Sequence, residues 1–282
     1  MSTGWLIMAS SRIWPDRRGQ VQVAACLLLL GLPSVAGAQN KRDFCVDRPG
    51  LGTPACTLDN DEFAIELGVV SWTLDRAAGS RTDTLVIGDM LLRHGLSENL
   101  EVQLGWRAYA TNRVRSGGNV DSTGGPGDVL LAVRRNLKNP DGSGFSLAVM
   151  PYLSLPTGNS AIGVGDWGAG LLIPVSHELP AGFGISFTGN VEAAVDMDRD
   201  GRHLAYGAIV GLDVPLNRAV NAAVELSARR DDDPSGTTTG LLAGLSAGWA
   251  PDEALQLDAG AAVGLNRDSP DLQIYLGIAR RF

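Results

Sequence analysis

The charged residues of this 282-residue chain keep step with one another. Glu66, Asp89, Arg93, Glu101, Arg107, Asp128, Arg134, Glu192, Glu225 and Arg229 take the polar positions of segments in which polar and apolar residues alternate. Asp166, Asp213, Asp258 and Arg281 follow the same phase. Carboxylates and guanidinium groups facing one another across a confined space have two uses. Paired, they fill that space, because a buried charge needs a partner. Partly unpaired, they line a polar path, and an excess of acids over arginines then disfavours anions. The ten residues named first are the candidate binding set, lining whatever lumen the alternating segments enclose.

Catalysis has little to work with. His94 and His177 fall at short turns, His203 faces the charged side, and no Gly-x-Ser-x-Gly elbow presents a nucleophile. The stretch "DMDRDG" (Asp196, Asp198, Asp200, Gly201) begins like a calcium loop. Its twelfth position, however, is Gly207 rather than a bidentate Glu. The sequence therefore predicts no enzyme, no cofactor and no metal site. It predicts acidic rim loops, here and at Asp231, Asp232 and Asp233, able at most to bridge weakly through divalent cations to lipopolysaccharide. The net charge of -8 argues against a nucleic-acid partner, whose phosphates demand a basic footprint.

The elements that must hold these residues have a period of two. In "LEVQLGWRAYA", Leu100, Val102, Leu104 and Trp106 alternate with Glu101, Gln103, Gly105 and Arg107. "LQLDAGAAVGLN" and "FGISFTGNVEAAVD" behave likewise. Such alternation marks a strand with two unlike faces, and here it runs for ten residues or more, the length a tilted membrane-spanning strand needs. Twelve such segments lie between Phe63 and Phe282, separated in turn by short Gly/Pro/Asn turns and longer polar loops, of which only 111–126 is sizeable. An apolar face in hydrocarbon cannot leave strand edges unpaired, so the sheet must close on itself. The expected fold is all-β: a transmembrane, antiparallel, up-and-down β-barrel of about 12 strands over residues 63–282. Outward Phe63, Phe145, Phe183, Trp249 and Phe282 would form a belt at the periplasmic ends, and Trp106, Trp167 and Tyr206 one near the outer rim.

Residues 1–38 read as a cleaved signal peptide: Arg12, Arg17 and Arg18, then "VAACLLLLGLPSVAGA", with Ala36-Gly37-Ala38 as the cleavage site. Cys26 leaves with it. Cys45 and Cys56 remain, an even pair in an exported chain, and read as one disulfide stapling a short periplasmic segment, residues 39–62.

Three blocks, "LLRHGLSENLEVQLGW", "GDVLLAVRRNL" and "PYLSLPTGNS", resemble those of the MetA-pathway phenol-degradation, or transporter, family of outer-membrane proteins. Arg93, Gly95, Leu96, Gly127, Asp128, Pro156, Thr157 and Gly158 carry the resemblance, with His94 where an aromatic is commoner. The resemblance implies a twelve-stranded barrel in the outer membrane of a Gram-negative bacterium, passing small, often hydrophobic or aromatic, molecules. Its partners would be outer-membrane lipid and lipopolysaccharide, a small-molecule solute, and the barrel-assembly machinery. For that machinery the terminal Phe282, behind alternating Leu272, Ile274, Leu276 and Ile278, resembles the assembly signal. The competing readings are a structural or adhesive barrel with a plugged lumen and, less favoured by the histidine positions, an outer-membrane phospholipase.

Overall fold

The computed structural model describes residues 41–282, so the expected signal peptide over 1–38 falls outside the described residues. The strands are β1 (Phe63–Ala77), β2 (Ser80–Ser97), β3 (Leu100–Ser116), β4 (Asn119–Gly125), β5 (Val129–Lys138), β6 (Phe145–Leu155) and β7 (Gly168–Glu178). They continue as β8 (Gly184–Val195), β9 (Arg202–Pro215), β10 (Val220–Asp233), β11 (Gly236–Asp252), β12 (Leu255–Gly264) and β13 (Leu272–Arg281). All pairings are antiparallel, and β1 pairs with β13 from Ala64↔Arg281 to Leu74↔Leu272, which closes the barrel.

Thirteen strands make twelve staves. Both β4 and β5 pair with β3, on successive stretches: Leu100–Trp106 face β5, and Ala110–Ser116 face β4. Pro126-Gly127-Asp128 interrupts what is otherwise one strand, as proline must where it cannot donate to a ladder. The expected loop at 111–126 is thus a correction: most of it is the β3–β4 hairpin, standing above the lower wall of β5–β7. Its residues remain strand because cross-strand polar pairs hold them, as where Thr84 Oγ1 donates to Asn112 Oδ1 at 2.8 Å.

The two faces are those of a protein dissolved in hydrocarbon. On β13, Ile274 and Leu276 point outward and are exposed, while Gln273, Tyr275 and Arg281 point inward and are buried. Phe63, Phe145, Phe183 and Trp249 are exposed at one end of their strands, called here the inner end. Phe282 completes that belt: its N–H donates to Phe63 O at 2.8 Å and its ring lies 6.4 Å from that of Phe63. Trp106, Trp167 and Tyr206 are exposed towards the other end. Deleting Phe282 removes one seam hydrogen bond and one belt ring, so the stability of barrel already folded should fall by only about 1 kcal/mol. The yield of folded barrel in cells should fall several-fold, measured by heat-modifiable electrophoretic mobility. A yield equal to wild type would count against the expectation that Phe282 serves as an assembly signal.

Candidate functional site, a lumen closed in its inner half by residues 42–62

Residues 42–62 do not hang below the barrel. They run into the inner half of the lumen, joined by the Cys45–Cys56 disulfide (S–S 2.04 Å), and return to β1. Within this Pro/Gly-rich segment the backbone has no ladder of its own, so its N–H groups must find acceptors elsewhere. The wall carboxylates supply them. Asp47 N donates to Glu66 Oε1 at 2.9 Å, Leu58 N to Glu101 Oε2 at 2.8 Å, and Leu51 N and Gly52 N to Glu225 at 2.7 and 2.8 Å. Gly50 N donates to Tyr275 Oη at 3.1 Å, and Thr53 N to Thr188 Oγ1 at 3.0 Å. Carbonyls of the segment accept in return: Asn136 Nδ2 donates to Ala55 O at 2.8 Å and Arg281 Nη1 to Arg42 O at 2.7 Å.

Side-chain charges lock the same contact. Arg93 stands at the centre, donating to Glu66 Oε1 at 2.7 Å and Glu101 Oε2 at 2.9 Å, with Asp47 Oδ1 at 3.4 Å. Arg134 Nη2 reaches both oxygens of Asp47 at 2.7 Å, and Arg48 spans to Asp258 at 3.0 Å. The side chains of Asp47, Glu66, Arg93, Glu101 and Arg134 are 0% exposed. Burial pushes the Asp47 carboxyl up, but Arg134 and Arg93 outweigh it and hold it well below the usual carboxylate range. Its contribution to docking is in place above its ordinary value of about 3.9 and is lost only as pH falls through the lower folded value, so mild acid leaves this one anchor in place.

The outer half of the lumen is wetter. Asp89 and Arg107 face each other at 3.7 Å with side chains 31% and 33% exposed. Glu192 and Arg229 pair at 3.2 Å, and Arg229 also donates to Asp231 at 2.6 Å. The candidate set therefore divides. Glu66, Arg93, Glu101, Arg134 and Glu225 hold the N-terminal segment; Asp89, Arg107, Glu192 and Arg229 line an outward vestibule.

Asp128 belongs to neither group. It clamps the β6–β7 loop, accepting Gly158 N and Val164 N at 2.8 Å each, while Thr157 Oγ1 accepts Val129 N at 2.9 Å. A Cβ on Gly158 would lie 2.7 Å from the carbonyl carbon of Gly127, so only glycine permits this approach. The blocks "GD" and "PTG" are thus two halves of one outer joint. Arg93 and Gly95, in the remaining block, meet the returning segment at the inner end, where Gly95 N donates to Glu62 O at 2.9 Å. Beside Asp59 O there is no room for a Cβ at Gly95.

Sequence reasoning missed Asp47, Arg48, Thr188 and Tyr275 as partners. A signal was present in the surplus of inward acids: carboxylates without arginines need other donors, and a short irregular segment supplies backbone N–H groups.

Several solved barrels are similar in outline. The NanC porin shares 8% identity over 77% of this chain and 98% of that one, at a TM-score of 0.49. The translocator domain of the autotransporter NalP from Neisseria meningitidis shares 13% over 78% and 88%, at 0.47. The CymD monoaromatic hydrocarbon channel shares 12% over 79% and 88%, at 0.42. These likenesses are too distant to carry an argument about function. No curated protein matches the chain. The family model described as "Putative MetA-pathway of phenol degradation" matches residues 46–282, from inside the lumen segment to the last residue, and the chain belongs to that family.

Proposed function

We propose that this protein is an outer-membrane channel for small, hydrophobic or aromatic solutes, held shut at its periplasmic end by its own N-terminal segment. The observation that carries this reading is the division of the lumen. A dry inner half is closed by residues 42–62, which form no strand of their own, and a partly exposed outer half faces the medium. A wall whose charges were needed only to pack the barrel would pair with itself. Here Glu225 and Asp258 on the wall are satisfied by Leu51, Gly52 and Arg48 of the segment. Placement in the outer membrane, with lipid and lipopolysaccharide around the apolar belt, rests on that belt and on the family. An enzyme is disfavoured because the hydrogen bonds of His203 go to Asp196 and Asp231 and not to a nucleophilic hydroxyl.

The second reading, a structural barrel permanently plugged, draws on the complete burial of the inner ion cluster. Uptake separates the two. Cells lacking the gene should take up at least one member of a panel of labelled small aromatics several-fold more slowly than complemented cells. Equal uptake across the panel, together with a silent barrel after removal of the segment, would leave only the structural reading.

A further inference from the structure

Strand pairing brings together, at the outer rim, residues that no local motif connects. His203 is the second residue of β9, opposite Ala194, Asp196 follows the end of β8, and Asp231 and Asp233 lie at the end of β10. His203 Nδ1 lies 2.9 Å from Asp196 Oδ1 and 3.4 Å from Asp233 Oδ2, and His203 Nε2 lies 2.7 Å from Asp231 Oδ1. The side chains of His203, Asp196 and Asp233 are 6%, 11% and 8% exposed, nearly dry for residues at a rim.

We propose that Asp196, His203 and Asp233 form a binding site for one divalent metal ion of the zinc class, ligated by His203 Nδ1 and one oxygen from each carboxylate. Three features carry this. The first is spacing. Ligand atoms about 2.0–2.1 Å from a tetrahedral ion stand about 3.3 Å from one another. The two separations at Nδ1 bracket that value, and all three ligand atoms lie within 4.8 Å of each other.

The second feature is orientation. A metal-bound imidazole usually donates its other N–H to a carboxylate, which fixes the ring and its tautomer. Asp231 occupies that position on Nε2. Its other oxygen accepts from Arg229 at 2.6 Å, which keeps Asp231 in the supporting role. With the Nε2 proton directed at Asp231, Nδ1 faces two carboxylates, an arrangement that either a second ring proton or a metal cation completes.

The third feature is chemistry. One imidazole nitrogen with two carboxylate oxygens suits zinc, nickel or copper better than calcium, which takes six to eight oxygens. Further acceptors are limited, because Asp233 already receives Met197 N at 2.8 Å and Ser235 N at 2.7 Å. The acidic stretch 196–201, which fails as a calcium loop, contributes a single ligand to a site completed by two other strands. A bound ion would tie the β8–β9 loop to the end of β10.

The test uses tag-free full chain, folded in detergent and stripped with chelator, titrated with zinc chloride against a chromophoric competitor. One ion per chain is expected. His203→Gln and Asp196→Asn should each weaken binding at least tenfold, and Asp231→Asn about 10–100-fold as a positioning residue. Asp232→Asn, on a side chain paired instead with Arg230, should bind like wild type. Heat-modifiable mobility verifies that each variant is folded, and Asp196→Asn, in the loop, serves where His203→Gln does not fold. Absence of saturable zinc binding overturns the proposal. So does wild-type affinity in both ligand variants, or tighter binding of calcium than of zinc.

Discussion

Removing residues 41–61 should turn a silent barrel into a conducting one. In planar bilayers the full chain is expected to stay near baseline, and the shortened chain to show sustained steps, with integrated current higher by at least roughly tenfold. A barrel of eight strands is filled by its own side chains, and each added stave widens the interior, so twelve leave space that something must occupy. Here the occupant is the N-terminal segment. Its removal returns Glu66, Glu101, Glu225 and Asp258 to water along with Arg93, Arg134 and Arg281, and the surplus of acids should give a weak preference for cations. A graded version separates opening from misfolding. Cys45→Ser with Cys56→Ser frees a loop closed over a sequence separation of 11, worth about 3 kcal/mol in chain entropy. Most ion pairs survive in that variant, so intermittent opening is expected. If the shortened barrel folds, by its heat-modifiable mobility, and still passes no current, the lumen is not a path and the gating function is lost.

How much of this was legible in the sequence follows from the range of each interaction. Alternation is local, so Leu104 and Trp106 outward against Glu101 and Gln103 inward could be read directly, and twelve such stretches define the barrel. The break at Pro126-Gly127-Asp128 was harder. The β3–β4 hairpin beyond it is polar on both faces, and without an apolar face alternation carries no signal. The N-terminal segment was legible only as a disulfide loop. Its contacts join Arg48 to Asp258 and Leu51 to Glu225, positions set by barrel closure and by no local pattern. The same applies to His203, whose three carboxylate neighbours come from two segments on either side of it. Nine of the ten candidate residues stand at strand positions, where pleat alone decides facing, and Asp128 lies outside the strands. Their division into a seal, a vestibule and the outer joint of Asp128 depended on depth along the barrel, and on a segment without periodicity.

Arg93→Ala should be the most damaging single substitution in the barrel. Arg93 is fully buried among Glu66, Glu101 and Asp47, so its loss strips the shared guanidinium from three carboxylates, while Arg134 stays at 2.7 Å from Asp47 and 3.3 Å from Glu101. Breaking a buried charge network from one side costs about 3–5 kcal/mol, far more than the net worth of the intact network, because the remaining charges stay desolvated. The carboxylates can relieve this by taking up protons or by admitting water, and either response weakens the seat of Asp47. A lowered unfolding temperature should therefore accompany faster proteolysis within residues 42–62 while the strands remain resistant. Arg93→Lys retains the charge but loses the fork that reaches Glu66 and Glu101 together, and should fall between. The decisive comparison is Arg93→Met combined with Glu66→Gln and Glu101→Gln, which removes the charges as a set. If uncompensated charge is the cause, the triple variant recovers much of the stability lost in Arg93→Ala, since coupled residues do not add. If the triple variant is worse than the single one, the arginine matters through packing, and the electrostatic account of the seal is wrong.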